Sequence, residues 1–143
     1  MATTLYETDF YSWIVRQADL LKNEDFAELD LPNLIEEIES MGVSQRSELD
    51  SRLTVLLMHL LKLTYQNYYP PEGWRNTVRE QRRRLQRFLR INHTLRAQLA
   101  VFIKDAYEAA REDAAEETHL PLATFPLECP WTVDQILDLN WLP

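Results

Sequence analysis

A chain of 143 residues with 45% hydrophobic content and four Trp is long enough for one domain with a substantial core and too short for two comfortable ones. Its net charge of −8 argues against non-specific binding to nucleic acid or anionic membranes by the molecule as a whole. A single Cys, Cys129, excludes an internal disulfide framework and a thiolate zinc site, and no window of about 18 uncharged apolar residues is present to span a bilayer. The expectation is a soluble protein of a reducing cytoplasm, without a leader and without membrane contact.

Two Gly in the whole chain, with Leu, Glu, Arg and Ala plentiful, favour helix over sheet, because sheet folds need turn glycines and β-branched residues. The fold class expected is all-α. Thr8 is placed to cap a first helix from Asp9 to about Lys22, with Phe10, Trp13, Ile14, Gln17, Leu20 and Leu21 on its buried side. Gln17 interrupts that side, so it is expected to hydrogen-bond across the interface. Asp30 followed by Pro32 marks the next helix start, because proline in a first turn lacks only an N–H that has no partner there.

From Pro32 to Asn67 the chain reads as one long central helix. At ~100° per residue, Leu34, Ile38, Met41, Gln45, Leu49, Leu53, Leu56, Leu60 and Leu63 keep to one side of it. Between Val55 and Leu61 it is apolar almost all round, so neighbours must cover it from several directions. Gly42 lies inside the stripe, either as a break or as a point where another backbone approaches closely. The stripe keeps its phase across Gly42, which favours a continuous helix.

Asn67 to Gly73, with Pro70 and Pro71, ends that helix. A third runs from Trp74 to about Ile91, with Trp74, Val78, Leu85, Phe88 and Leu89 on its apolar arc. A corner at Asn92 and His93 leads to a fourth, capped by Thr94, from Leu95 to about Glu117. The remaining residues, 118–143, carry four prolines yet are rich in Leu, Phe and Trp, which is not the composition of a disordered tail. They read as an arm packed on the bundle, with Thr132 and Gln135 forming a capping box for one short helix to about Leu139. The architecture expected is a single four-helix, bundle-like domain over 1–143 with a long central helix and a proline-rich C-terminal arm.

Several stretches, taken together and in order, resemble one known family. They are YETDFYSW at Tyr6 to Trp13, LDLPNLIEEIESMG at Leu29 to Gly42, HLLK at His59 to Lys62, and Trp74 followed by QRRR at Gln81 to Arg84. AYEAA at Ala106, EETHLP at Glu116, CPWTVDQIL at Cys129 and NWLP at Asn140 complete the set. The sequence is similar to the bacterial, mostly cyanobacterial family called domain of unknown function twenty-nine. That resemblance implies an all-helical fold and a bacterial cytoplasmic setting, and no activity, substrate or cofactor. The chain departs from the family at His93, where a proline is expected after Asn92.

Three groups of residues are candidate sites. Glu36, Glu37 and Glu39 with His59 are the usual ligand types of a metal or hydrolytic centre. On one continuous helix, however, Glu37 and His59 stand ~33 Å apart at 1.5 Å per residue, and His59 is not part of a Glu-x-x-His pair. Neither a metal nor any other cofactor is therefore expected, and His59 reads instead as a half-buried histidine holding a backbone or side-chain partner, kept neutral by nearby Lys62. His119 after Glu116 and Glu117 is a poorer cluster, and Cys129 reads as a buried, inert thiol.

The sharper feature is the third helix. Arg75, Arg79, Arg83, Arg87 and Arg90 lie opposite its apolar arc, while Arg82 and Arg84 flank that arc, in reach of Glu36, Glu39 or acids of the fourth helix. Arginine in place of lysine suits two-pronged contacts to carboxylate or phosphate. With Tyr68 and Tyr69 at the proline corner, the stripe reads as a partner-binding face of a non-enzymatic interaction or regulatory module. The expected partner is another protein, with nucleic acid the lesser alternative because no reader motif accompanies the helix.

Overall fold

The computed structural model describes residues 4–66 and 70–143; Tyr68 and Tyr69 lie outside them. The protein is all-α, and among the described residues there is no strand. Its helices are α1 (Leu5–Thr8), α2 (Phe10–Lys22), α3 (Leu31–Tyr65), α4 (Glu72–Ile91), α5 (His93–Ala97), α6 (Leu99–Thr118) and α7 (Val133–Leu137). The chain divides into two compact units, Met1–Ser44 and Gln45–Pro143.

In the N-terminal unit a polar lock holds α1 and α2 to the start of α3. Trp13 is buried and its indole N–H donates to Asp30 Oδ2 at 2.9 Å; Asn33 Nδ2 donates to the same oxygen at 2.8 Å. Gln17, also buried, accepts the Asp30 backbone N–H at 2.9 Å, which is the cross-interface bond its position demanded. The donors Asn33 and Trp13 hold the Asp30 carboxyl below its usual range. Tyr6 donates to Glu37 at 2.5 Å, and this bond is the main cause that pushes its phenol up to about 12. Tyr6 also meets Trp13 edge-on at 4.8 Å.

Two expectations fail in this unit. The cap of α2 is Asp9, whose carboxylate accepts the Ser12 backbone N–H; Thr8 instead ends the short helix α1 and donates its hydroxyl to Thr4 O. The apolar stripe is also not covered along its whole length. Leu34 is partly buried, but Ile38 and Met41 are 65% and 68% exposed, and Phe10, Ile14 and Leu21 of α2 are exposed as well. The lock engages one side of each helix, and periodicity identifies an apolar face without saying whether anything lies on it.

Helix α3 runs unbroken through Gly42. A Cβ built at Gly42 meets nothing within 4 Å, and φ there is not positive, so the second explanation for the glycine, a close backbone approach, is absent too.

The C-terminal unit holds the core. Leu49, Leu53, Leu56, Leu57, Leu60 and Leu61 of α3 are fully buried against Val78, Leu85 and Leu89 of α4 and against Ile103, Ala106, Ala110 and Ala114 of α6. The expected fourth helix is two: α5 ends at Ala97, Gln98 turns the chain, and α6 follows. Asn92 rather than Thr94 stands at the N-terminal boundary of α5. His119 ends α6 in a left-handed conformation, φ 59°, a C-terminal stop that glycine usually provides.

The arm is attached through its backbone. Thr132 and Gln135 form the capping box that starts α7. At the other end of α7, the Asp134 carbonyl is taken by the Asp138 N–H, which leaves those of Gln135, Ile136 and Leu137. Arg82, 1% exposed, supplies two donors: Nε to Ile136 O at 2.8 Å and Nη2 to Gln135 O at 3.1 Å. Gln86 Nε2 takes Leu137 O at 2.9 Å, and Arg82 Nη1 reaches Trp141 O at 2.5 Å. A five-residue helix cannot stand alone. Here its orphan carbonyls are satisfied by one cation placed at the negative end of its dipole and by the Gln86 amide. Further along, Tyr107 donates to Pro126 O at 2.5 Å and Arg111 Nε to Phe125 O at 3.0 Å, while buried Phe125 and Ile136 enter the core.

Arg82 therefore does not serve Glu36, Glu39 or the acids of α6, as its flanking position suggested; backbone carbonyls of the arm are its partners. Arg84 pairs locally with Glu80 at 2.7 Å.

Arg82→Met keeps the aliphatic stem but leaves buried carbonyls without donors, so it should cost about 3 kcal/mol. Arg83→Met, one residue away and exposed, should stay within about 0.5 kcal/mol; urea unfolding of both variants checks the contrast. Gly42→Ala has space and a compatible backbone, and should raise stability by about 0.5–1 kcal/mol in the same measurement.

Candidate functional site

Helix α4 sorts its arginines by direction. At ~100° per residue, Arg82 falls on the same arc as Val78, Leu85 and Leu89, which are buried. Arg75, Arg79, Arg83, Arg87 and Arg90 fall within ~120° of one another on the side that begins just beyond Arg82, and all five are exposed. None of these five forms an ion pair or side-chain hydrogen bond with any described residue. The ion pairs among the described residues are Arg52–Glu48, Lys62–Glu117 and Arg84–Glu80.

Part of the stripe borders a groove of about 620 Å³ between α3 and α4, with Arg83, Arg87, Phe88 and Ile91 on its α4 side. Across it, Arg52 grips Glu48 through Nε and Nη2, at 3.1 and 2.9 Å, and extends Nη1 toward Gln81. The two acids that face the groove, Glu48 and Glu80, are thus held by Arg52 and Arg84, and Arg83 and Arg87 keep their charge for solvent or a partner. Ile91, 80% exposed, adds an apolar side chain to the lining. Such a surface offers planar, two-pronged donors beside an apolar contact.

The metal alternative has a different geometry. Glu37 accepts from Tyr6, Glu36 and Glu39 are exposed, and His59 Nδ1 lies 2.8 Å from Val55 O, four residues back on its own helix. Among the described residues no group of three or more His, Cys, Asp or Glu is placed to hold a metal ion. Burial is the largest cause that lowers the His59 pKa, with Lys62 a smaller one; sequence reasoning had credited Lys62. Lys62 is itself buried, bonded to Glu117 at 2.6 Å and 4.3 Å from the Trp74 ring centre.

A second groove, about 650 Å³ between α6 and the arm, was not foreseen. Ile103, Tyr107, Trp131 and Val133 form its walls, with Cys129 among them and Asp105, Glu108, Glu112 and Glu128 also lining it. Burial pushes the Cys129 thiol up and the Tyr107 phenol up to about 12, so neither is activated as a nucleophile. The arm's path, which creates the groove, has no local signature in sequence.

Residues 5–142 match the family described as Domain of unknown function DUF29. The chain belongs to that family. Among curated proteins and among solved structures nothing matches it. In this DUF29 chain the stretches that carried the resemblance are those that build the polar lock, the core of α3 and the clasped arm. No helix of the described residues is long and apolar enough to cross a membrane.

His59 titrates lower in the folded chain than in the unfolded one, so folding is favoured by its neutral form. That contribution is fully present above about pH 6.5 and is lost as pH falls from there through the lowered pKa. Thermal melting at pH 7.5 and 5.5 should show a larger drop for the natural chain than for His59→Gln.

Proposed function

We propose that the chain is a protein-interaction module that takes an acidic partner surface along α4. The observation that supports this reading is the row of five exposed arginines, Arg75, Arg79, Arg83, Arg87 and Arg90, without partners among the described residues. Exposed arginines on a helix whose other side is locked into the core form a rigid, preorganised donor array, which lowers the ordering cost of binding. Complementary charge accelerates encounter and selects the partner. A protein surface is preferred to nucleic acid because the molecule's net charge of −8 opposes a polyanion at long range. In addition, no helix-turn-helix or other reader motif accompanies the stripe in the sequence.

The test is binding of a fluorescent Glu-rich peptide by the full chain at low ionic strength, compared with a single-stranded DNA oligonucleotide of similar charge. The peptide should bind and weaken with salt, and joint Arg83→Glu and Arg87→Glu substitution should lower its affinity tenfold or more, a loss of about 1.4 kcal/mol or above. Failure to bind the peptide, or tighter binding of the oligonucleotide, would overturn the reading.

A further inference from the structure

The charge of this chain is divided unequally between its two units. Residues 1–44 contain ten acids and two bases, a net charge of −8, whereas residues 45–143 contain thirteen of each. The whole net charge of the molecule therefore resides in the N-terminal unit. No acid there forms an ion pair with a described residue.

The same unit exposes large apolar side chains. Leu31, Ile35 and Ile38 share one face of α3, within ~60°, and Phe10, Ile14 and Leu21 share one face of α2, within ~40°; all six are exposed. Apolar exposure on this scale in a small helical unit marks a surface that associates. Its charge restricts the occupant. Pairing with the same unit of another molecule would set −8 against −8, and a neutral apolar partner would leave those carboxylates without compensation. A cationic surface with its own apolar contact satisfies both requirements.

Such a surface exists on this chain. On α4, Arg83, Arg87 and Ile91 follow one another at four-residue spacing, all exposed. On α3, Ile35 and Glu36 are followed by Ile38 and Glu39, one turn later, with both carboxylates exposed. Ile35 and Glu39 lie four residues apart on α3, as Arg87 and Ile91 do on α4, about 40° apart on each helix, so an isoleucine one turn from a carboxylate can meet an isoleucine one turn from a guanidinium, with Glu36 and Arg83 flanking the contact. Both surfaces are present in equal number on every molecule.

We infer that the acidic, apolar N-terminal unit of one copy docks on the α4 arginine stripe of a second copy. The inference rests on the stripe being a docking surface for acidic protein, and names the partner as the chain itself. The contact is heterologous, two different surfaces meeting, so it either closes reciprocally or extends from copy to copy.

The test is the solution mass of the full chain by sedimentation at low and at high ionic strength. The expected result is a mass above the 17.0 kDa of one chain at low salt, with association weakening about tenfold or more as salt rises. Joint Arg83→Glu and Arg87→Glu substitution should give a monomer, as should joint Glu36→Arg and Glu39→Arg substitution. An equimolar mixture of these two variants should associate again, because the acidic unit of the first meets the intact stripe of the second. A misfolded variant would not recover on mixing. A natural chain that stays monomeric at low salt, an oligomer indifferent to both reversals, or a mixture that stays monomeric overturns the inference. If the natural chain is monomeric but the Glu-rich peptide still binds through Arg83 and Arg87, this inference fails and the proposed function stands; if the peptide also fails to bind, both fall.

Discussion

One guanidinium holds the terminal arm in place. Arg82 points into the interior, and three of its N–H groups end on backbone carbonyls of residues 135, 136 and 141. A proline-interrupted segment has no ladder of its own to satisfy its carbonyls, so an arm of this composition can be buried only where donors come from elsewhere. Lysine would supply a single, freely rotating point of contact; the planar fork of arginine supplies separate donors in fixed directions. Burial lowers the Arg82 pKa while Asp138 raises it, so one charge of the arm itself helps to keep the cation in place. Tyr107, Arg111 and Gln86 repeat the arrangement with one bond each. The result is an arm bound by side-chain donors of α4 and α6 and anchored by Phe125 and Ile136 in the core.

The same residue separates the two duties of α4. Because Arg82 is consumed inside, and Arg84 pairs with Glu80, the exposed stripe is what remains, with the nearby Glu80 already held by Arg84. Core packing fixes the helix, and the fixed helix orients the guanidinium groups. Meanwhile the N-terminal unit gathers the net negative charge and leaves apolar residues in solvent. Neither feature contributes obviously to folding, since unpaired like charges and exposed isoleucines bring no stability to an isolated chain.

What was legible in the sequence followed from local rules. The continuity of α3 through Gly42, the capping box of Thr132 and Gln135, the polar partner of Gln17 and the division of α4 into an apolar and a cationic side all depend on spacing or on residues three to four apart. The unread parts depend on contacts distant in sequence. Helical phase put Arg82 beside Val78 and Leu89, which signalled an inward guanidinium, but its acceptors are main-chain atoms more than fifty residues away, and a carbonyl has no residue type to recognise. The turn at Gln98 interrupts a segment that is uniformly helix-forming. Ile38 and Met41 were expected inside because the stripe that begins with Leu34 continues in phase into Leu49 and Leu53. Phase records which way a side chain faces, and cover is decided by what the rest of the chain places there. The separation of Arg82 and Arg84 from the stripe was legible too; their partners, backbone carbonyls of the arm and Glu80, were not.

The clasp can be observed directly through the guanidinium protons. Solvent exchange of the arginine Nε–H signals, followed by NMR in the full chain, separates a buried and triply bonded Arg82 from the exposed Arg83 and Arg87. If the clasp holds the arm, the Arg82 Nε–H is a distinct signal that exchanges as slowly as the core amides of Leu57 and Leu85 and is released only with them. An Arg82 signal that exchanges as fast as those of Arg83 and Arg87, while the core amides remain protected, would contradict the account.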